Sequence, residues 1–192
     1  MKVSNEENKI SLVTLGCAKN LVDTEILVGG LKNNSYKIVE KPLESDVVIV
    51  NTCGFLDKAR EESVDTILDL GRLKKEGKIK KLIAMGCFTE RYGDAVEEEI
   101  PEVDKVFGSE EHASVLTYLT GKDFQRNDPD FQRSTLTPQH YAYLKISEGC
   151  DNVCSFCSIP LMRGLQQSQP IAWNVMEAKR LAQSGVKELL VI

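Results

Sequence analysis

An α/β fold organised around a parallel sheet is the class this sequence predicts, and three observations predict it. Residues 11–17 (SLVTLGC), 47–53 (VVIVNTC) and 82–87 (LIAMGC) are near-continuous apolar runs, as expected of strands covered on both faces. Each run ends in a small or polar residue followed by cysteine, at positions 17, 53 and 87, and the separations of 36 and 34 residues suit βαβ units. Helix-like patterns fill the intervals. The arrangement expected for residues 1–123 is a Rossmann-like parallel-sheet domain.

Taken in order, the first strand leads to a short helix over 23–31, and Asn20 and Asp23 read as caps for it, in preference to the alternative that Lys19, Asn20 and Asp23 line a site beside Cys17. After the second strand, Asp57 reads as the cap of a helix through Lys75. Ile67, Leu68 and Leu70 would face the sheet, while Glu61, Glu62, Lys74 and Lys75 would face water. The third strand is followed by an acidic run, Glu97 to Glu99, read as a solvated helix face, and by a surface helix over 109–119. Residues 124–138 (FQRNDPDFQRSTLTP) are polar, contain two prolines and show no period, so they read as a linker. Beyond it, 141–147 (YAYLKIS) reads as a strand, 174–184 as a helix closed by Gly185, and 186–192 as a second strand. A second unit is therefore expected over 139–192.

A chain of 192 residues with 42% hydrophobic and 28% charged residues has the apolar material for a packed core and is not a disordered chain. Twenty-four Lys and Arg against 29 Asp and Glu leave a net charge of −5, so no global basic field favours nucleic acid, and no direct contact with it is expected in this portion. Residues 1–10 have no apolar core, and no apolar run approaches the roughly 20 residues of a membrane helix. The expectation is a cytoplasmic protein without membrane contact. Six cysteines in such a chain are better explained by metal binding or catalysis than by disulfides.

Three cysteines at equivalent strand ends would converge where open α/β sheets hold their ligands, outside the carboxyl ends of the strands. A shared metal centre on Cys17, Cys53 and Cys87 is preferred over three buried cysteines acting as small hydrophobes. The other three, Cys150, Cys154 and Cys157, form a CxxxCxxC loop after a strand. A closed zinc site wants four ligands, and no His lies nearby to complete one. Three thiolates can instead hold three irons of a four-iron cluster and leave the fourth open to a small molecule. His112 and His140 lack ligand spacing and are assigned to no metal.

With these motifs in place the sequence resembles the radical S-adenosylmethionine methylthiotransferases over nearly its whole length. The resemblance rests on Cys150, Cys154 and Cys157 with Phe156 before the last cysteine, on the flanks 143–149 (YLKISEG) and 158–164 (SIPLMRG), and on 15–20 (LGCAKN) with Asp23 and Glu25, 51–53 (NTC) and 85–87 (MGC). The first motif is more similar to the branch that modifies an aspartate of a small-subunit ribosomal protein than to the tRNA-adenosine branch. The resemblance implies a fold in which 139–192 is the first β-α-β portion of a radical-enzyme (β/α) barrel. It implies two four-iron four-sulfur clusters, one on each cysteine set, and S-adenosylmethionine as cofactor, with Phe156 near its adenine.

The implied chemistry divides the work. On the Cys150, Cys154 and Cys157 cluster, S-adenosylmethionine would be cleaved by one electron, from a reductant such as flavodoxin or ferredoxin, to a 5′-deoxyadenosyl radical. From the Cys17, Cys53 and Cys87 cluster, methylated sulfur would pass to the β-carbon of the ribosomal-protein aspartate. The alternatives are tRNA-adenosine methylthiotransfer, or a catalytically incomplete iron-sulfur fragment or carrier. Two departures from the pattern stand out. Gln167-Ser168-Gln169 occupies a position where the family usually has Arg-Ser-Arg, and the 54 residues from 139 to 192 are far fewer than the roughly 200 of a complete barrel, so an incomplete barrel is expected.

Overall fold

A computed structural model describes residues 9–124 and 133–192. Five parallel strands form the main sheet: β1 (Lys9–Thr14), β2 (Lys37–Ile38), β3 (Val47–Thr52), β4 (Lys81–Gly86) and β5 (Lys105–Val106), in the spatial order 2-1-3-4-5. Alternation along the two central strands explains their unbroken apolar sequence. Val47 and Ile49 of β3, with Ile83 and Met85 of β4, join a cluster that includes Leu27, Leu31, Val115 and Leu116. Val48 and Val50, with Leu82 and Ala84, join a cluster on the other face that includes Ile67, Leu70, Phe88 and Val96. Helices α1 (Ala18–Lys32) and α4 (His112–Thr120) supply the first cover, and α2 (Asp57–Lys75) and α3 (Cys87–Glu99) the second. Both faces are dry, so both side-chain sets must be apolar.

The helix expected over 57–75 is present with those bounds, but Leu56 occupies its N-cap, and Asp57 instead pairs with Arg60 within the first turn. Leu68 is 39% exposed, whereas Ser63, Ile67, Leu70 and Gly71 are buried. The reason is helical geometry. These four follow the three- and four-residue spacing of one stripe, and Leu68 lies about 100° round from Ile67. Lys74 is also drawn in, to Asp104 at 2.6 Å. Glu97 to Glu99 are exposed on α3 as expected. The helix expected over 109–119 begins at His112, and His112 is buried rather than on the surface.

The second part of the chain contributes β6 (Tyr141–Leu144), β7 (Ser147–Glu148), α5 (Ile159–Arg163), β8 (Gln167–Ser168), α6 (Ile171–Gln183) and β9 (Glu188–Val191). Strands β6 and β9 pair in parallel with α6 packed on β6, a right-sized βαβ beginning. Gln167 and Ser168, in the segment that departs from the family pattern, pair antiparallel with Glu148 and Ser147. Of the segment read as a linker, 125–132 lies outside the described residues. Its later part is firmly held: Ser134 N–H donates to Glu25 O at 3.0 Å, and Arg133 is buried between Glu25 and Glu177 at 3.0 and 2.6 Å.

Candidate metal centre at the carboxyl edge of the sheet

The parallel register makes the strand ends level. Thr14 lies opposite Asn51, and Thr52 opposite Gly86, so the residues that follow leave the sheet at the same edge. Cys17 caps the start of α1, Cys53 directly follows β3, and Cys87 is the first residue of α3. The order in which strands are added reverses between β1 and β3, the topological switch point of a 2-1-3-4-5 sheet, where such folds open a crevice.

Close approach at this edge depends on glycines, two of them with positive φ. Gly16 has φ +92°, and a Cβ there would lie 2.6 Å from Cys53 Cβ and 2.8 Å from Cys53 Sγ. Gly86 has φ +111°, and a Cβ there would lie 2.5 Å from Asn51 Oδ1 and 2.6 Å from Thr52 O. Any other residue would push the strand ends apart.

Asn20 sits at the centre. Its Nδ2 donates to Leu15 O at 2.8 Å and Thr52 O at 2.9 Å, tying the ends of β1 and β3 together. Its Oδ1 is thereby turned to the sulfurs, accepting from the Cys17 thiol at 3.9 Å and the Cys87 thiol at 3.7 Å. Ser63 of α2 fixes Cys53 through both backbone groups, accepting from Cys53 N–H and donating to Cys53 O, each at 3.0 Å. Asn20 is therefore not a helix cap. It is buried inside α1 because its amide completes two strand ends that no neighbouring strand serves.

Asp23 is not a cap either. It is buried in an ionic network that links the two parts of the chain: Lys145 Nζ lies 2.6 Å from Asp23 Oδ1 and 2.6 Å from Glu148 Oε1, and Arg163 Nη1 lies 2.8 Å from Asp23 Oδ2 and 3.0 Å from Glu148 Oε1. His112 lies 3.4 Å from Asp23, and Glu110 stands within 3.7 Å of both cations. Lys19 reaches in from the rim, to Ser147 O at 2.6 Å and Glu148 at 3.7 Å. Burial by itself would raise the Asp23 carboxyl, but Lys145, His112 and Arg163 overturn it and hold Asp23 far below the usual carboxylate range. Glu148 is lowered in the same way, its burial being outweighed by Lys145 and Arg163.

The sequence reading missed Lys145, Glu148 and Arg163 as parts of this centre. The available signal was a lysine and a glutamate three apart in an otherwise apolar strand leading into Cys150.

Arg163 continues the network into the cysteine crevice. Its Nε–H donates to Cys87 Sγ at 3.1 Å and its Nη2 to Asn20 Oδ1 at 2.6 Å. Burial pushes the Cys87 thiol up to about 11, with Arg163 opposing. The donor set fits an iron-sulfur cluster: three thiols gather at one sheet edge, Cys17 and Cys87 meet on Asn20 Oδ1, and the N-terminal dipoles of α1 and α3 together with the Arg163 guanidinium favour the anionic thiolate form. Three carboxylates, Asp23, Glu110 and Glu148, also come within 4.8 Å of one another, but Lys145 and Arg163 already occupy the space between them.

The second set lies on an open loop. Cys154 is exposed, and Cys150 and Cys157 are half-buried. Cys157 N–H donates to Cys154 O at 3.1 Å and Cys150 N–H to Gly164 O at 3.1 Å, so the loop is closed on itself and against the segment after it. Asn152 Nδ2 donates to Cys150 Sγ at 3.5 Å. Three thiols on one short accessible loop suit a cluster with an open iron. Phe156 is 91% exposed. His140 stacks edge-on with Tyr141.

A parallel α/β domain with a cysteine crevice, followed by a CxxxCxxC loop at the start of a βαβ unit, has a counterpart among solved folds. The solved structure of OxsB, a cobalamin-dependent S-adenosylmethionine radical enzyme with aqua-cobalamin and S-adenosylmethionine bound, matches with a TM-score of 0.55 at 14% identity, over 94% of this chain and 32% of that one. The chain belongs to the family described as uncharacterized protein family UPF0004, whose profile matches residues 9–108. The ribosomal protein uS12 methylthiotransferase RimO of Chloroherpeton thalassium is 46% identical over 99% of this chain and 43% of its own length. The protein of that name from Flavobacterium psychrophilum is 49% identical over 98% of the chain and 43% of its length. The chain thus spans less than half the length of these relatives. No helix among the described residues is long and apolar enough to cross a membrane.

Proposed function

We propose that this chain is the cluster-bearing portion of a radical S-adenosylmethionine methylthiotransferase that adds a methylthio group to the β-carbon of an aspartate in a small-subunit ribosomal protein, the uS12 named in its relatives. The observation that carries the reading is the meeting of Cys17 and Cys87 on Asn20 Oδ1, with Cys53 packed against Gly16, at the switch point of the sheet. In this reading residues 1–123 hold the sulfur-donor cluster on Cys17, Cys53 and Cys87. Residues 124–138 connect, and residues 139–192 begin the barrel, with the radical-generating cluster on Cys150, Cys154 and Cys157.

The chemistry that the bound clusters supply is one-electron cleavage of S-adenosylmethionine at the loop and a sulfur for transfer at the crevice. The protein's own part is placement. Levelled strand ends, Asn20 and Ser63 hold three sulfurs at one crevice, with Cys53 and Cys87 buried and Cys17 at its exposed rim, while the exposed loop leaves access for a chelating cofactor whose adenine Phe156 covers. A small flavodoxin or ferredoxin would deliver the electron. Six free cysteines suit the reducing cytoplasm in which a ribosomal protein is made.

Anaerobic reconstitution tests the reading. About eight irons and eight sulfides per chain are expected, with Cys53→Ala and Cys154→Ala each retaining about four. Stoichiometric zinc in place of iron, or a single cluster abolished by either substitution, would refute it.

A further inference from the structure

We infer that Arg163 is a positioning residue for the Cys17, Cys53 and Cys87 centre: its Nε–H holds the Cys87 sulfur while its other nitrogens are clamped by Asn20, Asp23 and Glu148, so the segment that follows one cysteine loop sets the reduction potential at the other. The inference rests on the proposed cluster at that centre. Three observations support it.

First, Arg163 comes from outside the sheet domain. It ends α5, the short helix after Cys157, and reaches Cys87 across 76 residues of sequence. α5 is seated rather than loosely apposed: Met162 is buried, and Ser109 Oγ donates to Met162 O at 2.6 Å. Second, the guanidinium is 5% exposed, and each of its three nitrogens has an acceptor, so the planar fork has one orientation available. Third, its partners divide cleanly. Asn20 also faces the Cys17 and Cys87 sulfurs, whereas Asp23 and Glu148 are carboxylates shared with Lys145.

A hydrogen bond and a positive charge at a ligand sulfur favour the more reduced, more negative state of an iron-sulfur cluster, which raises its potential. Carboxylates behind the guanidinium partly cancel that effect. Substitutions on the two sides of Arg163 must therefore act with opposite sign.

The test uses the whole 192-residue chain carrying Cys150→Ala, Cys154→Ala and Cys157→Ala, so that only the first centre can hold a cluster. It is reconstituted anaerobically and titrated with dithionite, the one-electron reduction being followed by electron paramagnetic resonance. Arg163→Met should lower the midpoint potential and alter the resonance of the reduced cluster, and Asp23→Asn should raise the potential. Arg163→Lys, which keeps the charge and loses the fork, should fall between wild type and Arg163→Met. A residue acting only as a strut would change the fraction of chains loaded, not the potential of the loaded ones. If Arg163→Met does not fold, Asp23→Asn and Arg163→Lys still carry the test, by shifts of opposite sign. Unchanged potentials at full loading, or shifts of the same sign, overturn the inference and leave the cluster assignment standing. Failure of the background protein to bind iron overturns the assignment itself.

Discussion

Replacing Gly86 by alanine isolates the contact on which the cysteine crevice depends. Its backbone, φ 111° and ψ −162°, lies in a region reserved for glycine, where strain costs about 1–3 kcal/mol. The new Cβ would also lie 2.5 Å from Asn51 Oδ1 and 2.6 and 2.8 Å from Thr52 O and N. Two of these atoms are backbone of β3, so relief requires β4 to move away from its neighbour, and overpacking of this kind costs about 1–3 kcal/mol more. The total is about 4 kcal/mol, or a fall in Tm of about 8–16 °C for a chain of this size.

Gly77→Ala is the internal control. Gly77 also has positive φ, +72°, but nothing lies within 4 Å of a Cβ there, so only the left-handed penalty of about 1 kcal/mol applies. Thermal and denaturant unfolding followed by circular dichroism under reducing, anaerobic conditions gives both values, and iron per chain after reconstitution gives the effect on the crevice. Gly86→Ala should lose most of the first-centre iron and Gly77→Ala none. Equal destabilisation by the two substitutions would refute the claim that close approach of the strand ends, rather than backbone conformation alone, shapes this edge.

Lys145→Met should destabilise by about 3–5 kcal/mol, because it leaves Asp23 and Glu148 buried with one cation fewer; denaturant midpoints check it, and adding Asp23→Asn should recover part of the loss. Acidification should destabilise the protein through the same network. Asp23 and Glu148 have folded-state values below their unfolded ones, so the unfolded chain takes up more protons and stability falls as pH drops through and below about 4. Glu25, raised by its burial, offsets part of this by taking up its proton earlier in the folded state, and Asp23→Asn should unfold with a shallower acid limb in midpoints measured from pH about 5 to 3. In hydrogen exchange, amides of β9, which among the described residues pairs only with β6, should exchange far faster than those of Val47 to Val50, which lie in a strand paired on both sides. Comparable protection in the monomer would show that the β6–β9 pair is stabilised by more than its own ladder.

The sequence alone determined the elements whose burial is one-sided or complete. β3 and β4 are legible because both faces meet apolar helices, and α2 because one stripe does. The three cysteines at level strand ends follow from the same pattern, since a parallel sheet brings equivalent ends to one edge. The two-residue edge strands β2 and β5 carry no pattern long enough to read, and α3 begins at Cys87 directly from the end of β4, with Gly86 alone making the turn.

Where buried polar groups find their partners follows from the packed chain and from no local pattern. α1 is buried along most of its length, including Asn20, Asp23, Thr24 and Glu25, so it shows no amphipathic stripe and its first turn was not recognised. Periodicity says that a position faces inward or outward. It does not say that Asp23 will meet Lys145, or that Arg163 will meet Cys87, because those contacts join segments more than 70 residues apart and exist only once α5 is seated on the sheet domain. A charged side chain reads as solvated until a partner of opposite sign, brought from elsewhere in the chain, offsets the cost of burying it.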